Sequence, residues 1–171
     1  LRPTVPSLGR GEGVCTLSDG VLTVGNLKVT LSDPQPLMGA CFDVHPENVV
    51  PMRRMNQPAR GIVAVGVVTE MEGKVNRKGD KTILSIGITD FDGSVMLKKV
   101  MPNDEANALM SVINQTKTKK KRGTVSVLYY DIALAVRGNL RPDSFDGELT
   151  FTPTDIQTVT RVLRQDNADQ R

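Results

Sequence analysis

The sequence predicts a mainly β domain: a five-stranded barrel with one helix between its third and fourth strands, preceded by a small hairpin and an irregular segment. Three observations carry this expectation. Lys81–Thr89 and Ser94–Val100 alternate apolar and polar residues on either side of Asp90-Phe91-Asp92-Gly93, the pattern of a hairpin with a tight turn. Arg60–Glu70 is rich in β-branched residues and carries Gly66 in its middle, as suits a first strand that bends to serve two sheets. Ala106, Leu109, Met110 and Ile113 fall at helical spacing after Pro102-Asn103-Asp104-Glu105, where Asn103 is placed to cap and acidic groups suit the first turn. Three strands, a helix and two more strands is the order of the OB-fold (oligonucleotide-binding) Greek-key barrel.

Taken in order, residues 1–13 are rich in Pro, Gly and Arg and read as a disordered lead-in. Val21–Val24 and Lys28–Leu31 form a short hairpin turning at Gly25-Asn26. Five prolines between Ser32 and Pro58 exclude a long helix or a central strand there, which leaves a connector. The three regions expected are therefore a lead-in over residues 1–59, the barrel over 60–156, and an exit linker over 157–171. The helix ends near Gln115, and Thr116–Arg122 is a basic run closed by Gly123. Thr124–Leu128, Asp131–Leu140 and Gly147–Pro153 supply the later strands, the last two pairing across Arg141–Asp146.

Composition sets the limits. The chain has 171 residues, 39% of them hydrophobic, with no Trp and only 4% aromatic residues. Such a core is aliphatic, and platforms for stacking bases are few. Net charge is +3, but residues 60–122 hold twelve basic against seven acidic groups while the flanks are neutral or acidic. That asymmetry suits a polyanionic partner, since cations meeting phosphates release condensed counterions. A solvated face is the plainer explanation of the same charge. Cys15 and Cys41 match no metal-finger or redox spacing and read as free thiols of a cytoplasmic protein, although counting alone permits a disulfide. No stretch approaches a membrane span, and the chain, beginning at Leu1, reads as part of something longer.

Catalysis needs a constellation, and none is legible. His45 is the only histidine and stands beside a proline without a nucleophile or carboxylate pattern. Asp90 and Asp92 are ordinary turn residues completed by Gly93. Phosphate-binding, dinucleotide, zinc-protease and nucleophile-elbow motifs are absent. The piece is expected to have no active site, cofactor or metal of its own.

Basic residues carry the binding expectation instead. With Val95 and Leu97 facing inward, Met96 and Lys98 face out; Lys99 has inward parity near a strand end. Leu134 and Val136 face in, leaving Arg137 out. Lys74, Arg77, Lys78 and Lys81 rim the first turn. Cations lining a groove can follow a phosphate backbone without reading sequence, whereas lysines in turns also need no partner at all. Phe91 and Phe145 are candidate stacking contacts, though a turn phenylalanine can equally fold back onto the barrel. Lys117, Lys119, Lys120, Lys121 and Arg122 read as an electrostatic tether or as a mobile loop. One of Tyr129 and Tyr130 is expected in the core, with Phe151.

Several pieces in order resemble the oligonucleotide-binding domain of the PolC-type DNA polymerase III alpha subunit. They are Lys78-Gly79-Asp80-Lys81-Thr82-Ile83-Leu84, Ile88-Thr89-Asp90-Phe91, Ser94-Val95-Met96-Leu97-Lys98 and Val136-Arg137-Gly138-Asn139. Phe151–Ile156 is similar to that family's closing strand, and Asp19–Val29 to its preceding strand pair. The stretch from Thr116 to Tyr130 is longer than the family's link, and Phe91 stands where tyrosine is more usual. The resemblance implies an accessory domain contacting single-stranded or primer–template DNA, working with other domains and subunits of a polymerase. Polymerase and exonuclease chemistry, with its Mg²⁺, would lie elsewhere in the parent protein. Other oligonucleotide-binding barrels, either anticodon-binding or single-strand-binding, and a protein-docking module are the alternatives.

Overall fold

Strand pairing wraps one sheet into a closed barrel. The computed structural model describes residues 15–143 and 146–162. Its elements are β1 (Cys15–Ser18), β2 (Val21–Val24), β3 (Leu27–Thr30), β4 (Pro36–Met38), β5 (Ala59–Val75), β6 (Lys81–Thr89), β7 (Ser94–Pro102), α1 (Asn103–Asn114), β8 (Lys117–Arg122), β9 (Val125–Tyr130), β10 (Ala133–Pro142) and β11 (Leu149–Arg161). A single 3₁₀ turn covers Met52–Arg54. Antiparallel pairs join β10 to β5, β5 to β6, β6 to β7 and β10 to β11, and the parallel pair Phe151–Leu97 closes β11 onto β7. This is the five-stranded oligonucleotide-binding barrel that the sequence predicts, with α1 between its third and fourth strands.

The interior is aliphatic. Leu84, Ile86, Ile88, Leu97, Leu134, Val136, Leu140, Phe151 and Ile156 fill it, and α1 adds Ala106, Leu109 and Ile113. The helix differs from expectation at its start. Pro102 is the N-cap and no side chain caps it. Asn103 instead accepts a hydrogen bond from the Thr82 hydroxyl at 2.8 Å and donates one to the Gly79 carbonyl at 2.8 Å. It ties the helix to the turn between β5 and β6 rather than to its own amides.

A second core lies outside the barrel. Val63, Val65 and Val67 of β5 and Ala133 and Ala135 of β10 pack against Leu22, Val24, Leu27 and Val29, together with Phe42, Val44 and Val49. The first half of β5 is thus buried on both faces, which is why its sequence is a continuous β-branched run and not an alternation. Strand β3 pairs with the end of β11, and β4 pairs with its middle. Residues 15–58 therefore share a core with the barrel, where the sequence suggested a separate lead-in and connector.

Two strand lengths also differ. The fifth barrel strand continues to Arg161, so residues 157–161 are sheet rather than linker. Pro153 suggested an earlier stop, but it pairs with Gly138 at the register shift between Arg137 and Gly138, where the ladder does not need its missing donor. Gln157 is buried because its amide donates to the Phe42 carbonyl and accepts from the Phe42 amide. The basic run Lys117–Arg122 is β8, one strand of a two-stranded ribbon with β9, and not an irregular loop. The expectation for residues 1–13 falls outside the described residues.

Candidate nucleic-acid groove

A bulge decides what the outer face of β5 presents. Up to Val68 the odd-numbered residues point to the second core. The register shifts between Val68 and Glu70, the parity flips, and Glu70, Glu72 and Lys74 emerge on the outside while Met71 packs inward. Three rows then cross the sheet: Glu70–Gly87–Met96, Glu72–Ser85–Lys98 and Lys74–Ile83–Val100. A groove of about 380 Å³ opens along these rows, lined by Glu70, Glu72, Lys74, Ile83, Ser85, Met96 and Lys98 together with part of the inward-packed Met71.

Loops bound it at both sides. Asn76 builds the turn between β5 and β6: its side-chain carbonyl accepts from the Gly79 and Lys81 amides and its amide donates to Asp80. Arg77 and Lys78 are exposed at the tip of that turn, and Lys81 is exposed where β6 begins. On the other side, Asp143 follows β10 and binds the Lys98 ammonium at 2.8 Å. That hydrogen bond raises the lysine's pKa; partial desolvation lowers it, and the charges of Asp143 and Asp146 raise it further, for a net rise. Lys98 is therefore a fixed cation rather than a freely swinging one.

The expected site residues divide into groups. Lys74 and Lys98 share the groove, with Arg77, Lys78 and Lys81 at its loop end. Lys99 has the parity of Leu97 and Met101 and stands beside Pro153 and Met38, away from the groove. Phe91 lies two residues beyond the opposite end of β6, a strand that spans about 26 Å from Lys81 to Thr89 at ~3.3 Å per residue. There it has φ +65°, its ring lies 4.8 Å from the Arg161 guanidinium, and its carbonyl accepts from Asn26. Phe145 lies outside the described residues.

Arg137 faces out of the barrel, as expected, but toward the second core. Its guanidinium bonds Asp155 through Nε at 3.0 Å and a terminal nitrogen at 2.9 Å, and lies 4.9 Å from the Phe42 ring. Burial alone would push the Asp155 carboxyl up. The Ala40 amide, the Arg137 guanidinium and the Thr154 hydroxyl outweigh it and hold the carboxyl below its ordinary value. A single track from the first turn across Lys98 to Arg137 is therefore not what the fold assembles.

Sequence reasoning missed Glu70, Glu72 and Asp143. The two glutamates needed the bulge, which no residue announces; Asp143 needed the loop's return to β7. Among the described residues no group of three or more His, Cys, Asp or Glu is placed to hold a metal ion, and no helix is long and apolar enough to cross a membrane. Cys15 and Cys41 are both free, and burial pushes the Cys15 thiol up to about 12.

Strand order, closure by β11 on β7 and a groove between two loops define the class: an oligonucleotide-binding barrel. No protein-family model matches the chain. Curated relatives are more specific, and the chain is homologous to one segment of DNA polymerase III PolC-type. It is 29% identical over 165 residues to that protein of Pediococcus pentosaceus, covering 96% of this chain and 10% of the relative. For the Streptococcus sanguinis protein the figures are 30% over 118 residues, 69% and 7%, and for Bacillus cereus 27% over 124 residues, 72% and 8%. The chain thus spans a tenth or less of the length of these relatives. Among solved structures, RecG bound to a three-way DNA junction aligns with a TM-score of 0.42 and 11% identity, over 82% of this chain and 14% of that one. That likeness is too distant to build on.

Proposed function

We propose that the chain binds single-stranded DNA across the groove of its barrel, as a non-catalytic DNA-contacting domain of a bacterial replicative polymerase working in the cytoplasm. The groove carries this reading. Lys74 and Lys98 offer two cations to a phosphate backbone, while Ile83 and Met96 offer apolar surface to bases, on the strand face and between the loops that such barrels use. Homology to a segment of DNA polymerases supports it. Glu70 and Glu72 share β5 with Lys74, and Glu72 shares a row with Lys98, so their repulsion of phosphate offsets part of the cations' attraction. Binding is accordingly weak and indifferent to base sequence, since no described aromatic ring lines the groove. The partners would be single-stranded or primer–template DNA and the other parts of the polymerase, whose nucleotidyl-transfer and exonuclease metals would be held elsewhere.

A second reading, docking of a protein segment, is favoured by the same two glutamates and by the exposure of Ile83 and Val100. Titration of the purified chain against fluorescent oligothymidine and mixed-sequence strands at two salt concentrations separates the two. Similar affinities for both strands that fall with salt are expected. An absence of salt-dependent binding would leave docking as the function of the face. Metal-dependent nucleotide incorporation by the chain, abolished by a point change within it, would overturn the non-catalytic part.

A further inference from the structure

The β8–β9 ribbon has no place in the groove, and its chemistry is unusual. Lys117, Lys119, Lys120, Lys121 and Arg122 crowd one six-residue strand, and no acidic residue occurs between 117 and 130. Pairing runs Lys117–Tyr130, Lys119–Leu128 and Lys121–Ser126 on one face, and Thr118–Tyr129, Lys120–Val127 and Arg122–Val125 on the other. Cations therefore project from both faces. Among the described residues none of the five forms an ion pair; Lys117 alone lies over a ring, 5.7 Å from Tyr130. Val125, Val127, Leu128 and Tyr129 are exposed beside them.

The base of the ribbon is anchored, where β9 lies against β5, and the residues farther out are exposed. Tyr130 packs against the barrel core, and the Asp131 amide donates to the Thr116 carbonyl at 3.0 Å, so the two ends of the insertion meet. From there six-residue strands extend about 20 Å, with backbones ~4.8 Å apart.

We propose that this ribbon is an arm that enters the major groove of double-stranded DNA. That groove is about 12 Å wide and admits a two-stranded ribbon in undistorted B-form DNA, whereas the minor groove, about 6 Å wide, takes one only when the duplex is bent or widened. A ribbon lying in it meets a phosphate backbone on each side, which accounts for cations on both faces. A single strand would engage only one face. A membrane surface would select cations on one face and apolar groups on the other, but here each face carries both. Exposed valine and leucine side chains suit the edges of the bases, thymine methyls among them. The proposal rests on the ribbon alone and does not require the barrel groove to bind.

The test uses the full chain, a blunt duplex of about 20 base pairs and a single strand of the same length, at about 50 and 200 mM salt. One variant carries Lys119→Gln and Lys121→Gln, a second Lys120→Gln and Arg122→Gln, and a third replaces residues 117–130 with a short Gly-Ser bridge between Thr116 and Asp131. Each face variant is expected to weaken duplex binding about tenfold at the lower salt and to make the log–log salt slope shallower by about 2, at ~0.9 per phosphate contact. The bridge variant should lose duplex binding and largely keep that of the single strand. A duplex carrying bulky major-groove substituents should bind the unaltered chain poorly, and a minor-groove ligand should not compete. Failure of the unaltered chain to bind duplex would overturn the proposal. So would sensitivity of one face only, equal loss for duplex and single strand, or competition by the minor-groove ligand. Failure of the single strand alone to bind would count against the barrel groove and leave the ribbon standing.

Discussion

The outer side of β5 changes character at Thr69. Before it, Val63 and Val65 lie under the N-terminal strands with at most 1% of their surface exposed; after it, Glu70, Glu72 and Lys74 stand in the open groove. Each region has a cation facing out of the barrel that an aspartate holds. On the buried side Arg137 is clamped by Asp155, which is itself held by the Ala40 amide and the Thr154 hydroxyl. On the open side Lys98 meets Asp143 at the groove wall. The two cations are similarly exposed, 44% for the Arg137 side chain and 38% for Lys98. What differs is that two guanidinium nitrogens meet Asp155 and the Phe42 ring lies against Arg137, whereas Lys98 meets one carboxylate and lines the groove. Facing outward is not the same as being available.

The sharpest break in that contrast is to put a charge where the second core needs an aliphatic group. Val65→Asp would bury an unpaired carboxylate on a strand enclosed on both faces, which is expected to cost more than about 4 kcal/mol. Thermal unfolding should show the loss of the native transition, whereas Glu72→Lys, on the open half of the same strand, should leave it nearly unchanged.

Asp155→Asn is next in size. It leaves Arg137 without its charge partner, and because the guanidinium is partly exposed the expected cost is about 1–3 kcal/mol. Its pH signature has a definite sign. The folded pKa of Asp155 lies below the ordinary 3.8, so its contribution is present above that value and is lost as pH falls through the lowered one. Acid titration of stability should therefore be shallower in the variant than in the unaltered chain.

Lys98→Gln should change stability least, by under about 1 kcal/mol, because the pair is open to solvent on the lysine side. The sign is opposite. Lys98 has a folded pKa above the ordinary 10.5, so its contribution is complete below that value and is lost as pH rises through the raised one. Comparing the alkaline unfolding of the variant and the unaltered chain checks it.

The barrel itself was legible because Leu84, Ile86 and Ile88 alternate with Ser85, Gly87 and Thr89 ahead of a tight turn, and because α1 has an apolar stripe. What escaped the sequence was whatever depended on a distant partner. Gly66 suggested a bend in the first strand; the structure adds a close approach there, since a side-chain carbon would meet Met52 at 2.7 Å and the Thr89 carbonyl at 2.9 Å. It did not reveal that the parity flips three residues later. Arg137 was rightly read as outward, but Phe42 and Asp155, which occupy it, are 95 and 18 positions away. Lys117–Arg122 has poor intrinsic strand propensity, so its charge suggested a loop. The usable signal was Val125–Tyr130, a β-branched and aromatic strand after Gly123 that needed a partner just before the turn.

Salt-dependent binding of single-stranded DNA tests the contrast most directly, with Lys74→Gln/Lys98→Gln and Arg137→Gln compared against the unaltered chain. The open-side double variant is expected to bind more weakly and to flatten the log–log slope by about 1.4, at ~0.7 per phosphate contact on a single strand. Arg137→Gln, assayed below its unfolding temperature, should keep both affinity and slope. If Arg137→Gln flattened the slope while Lys74→Gln/Lys98→Gln did not, DNA would lie on the opposite side of the barrel and the groove would not be its site.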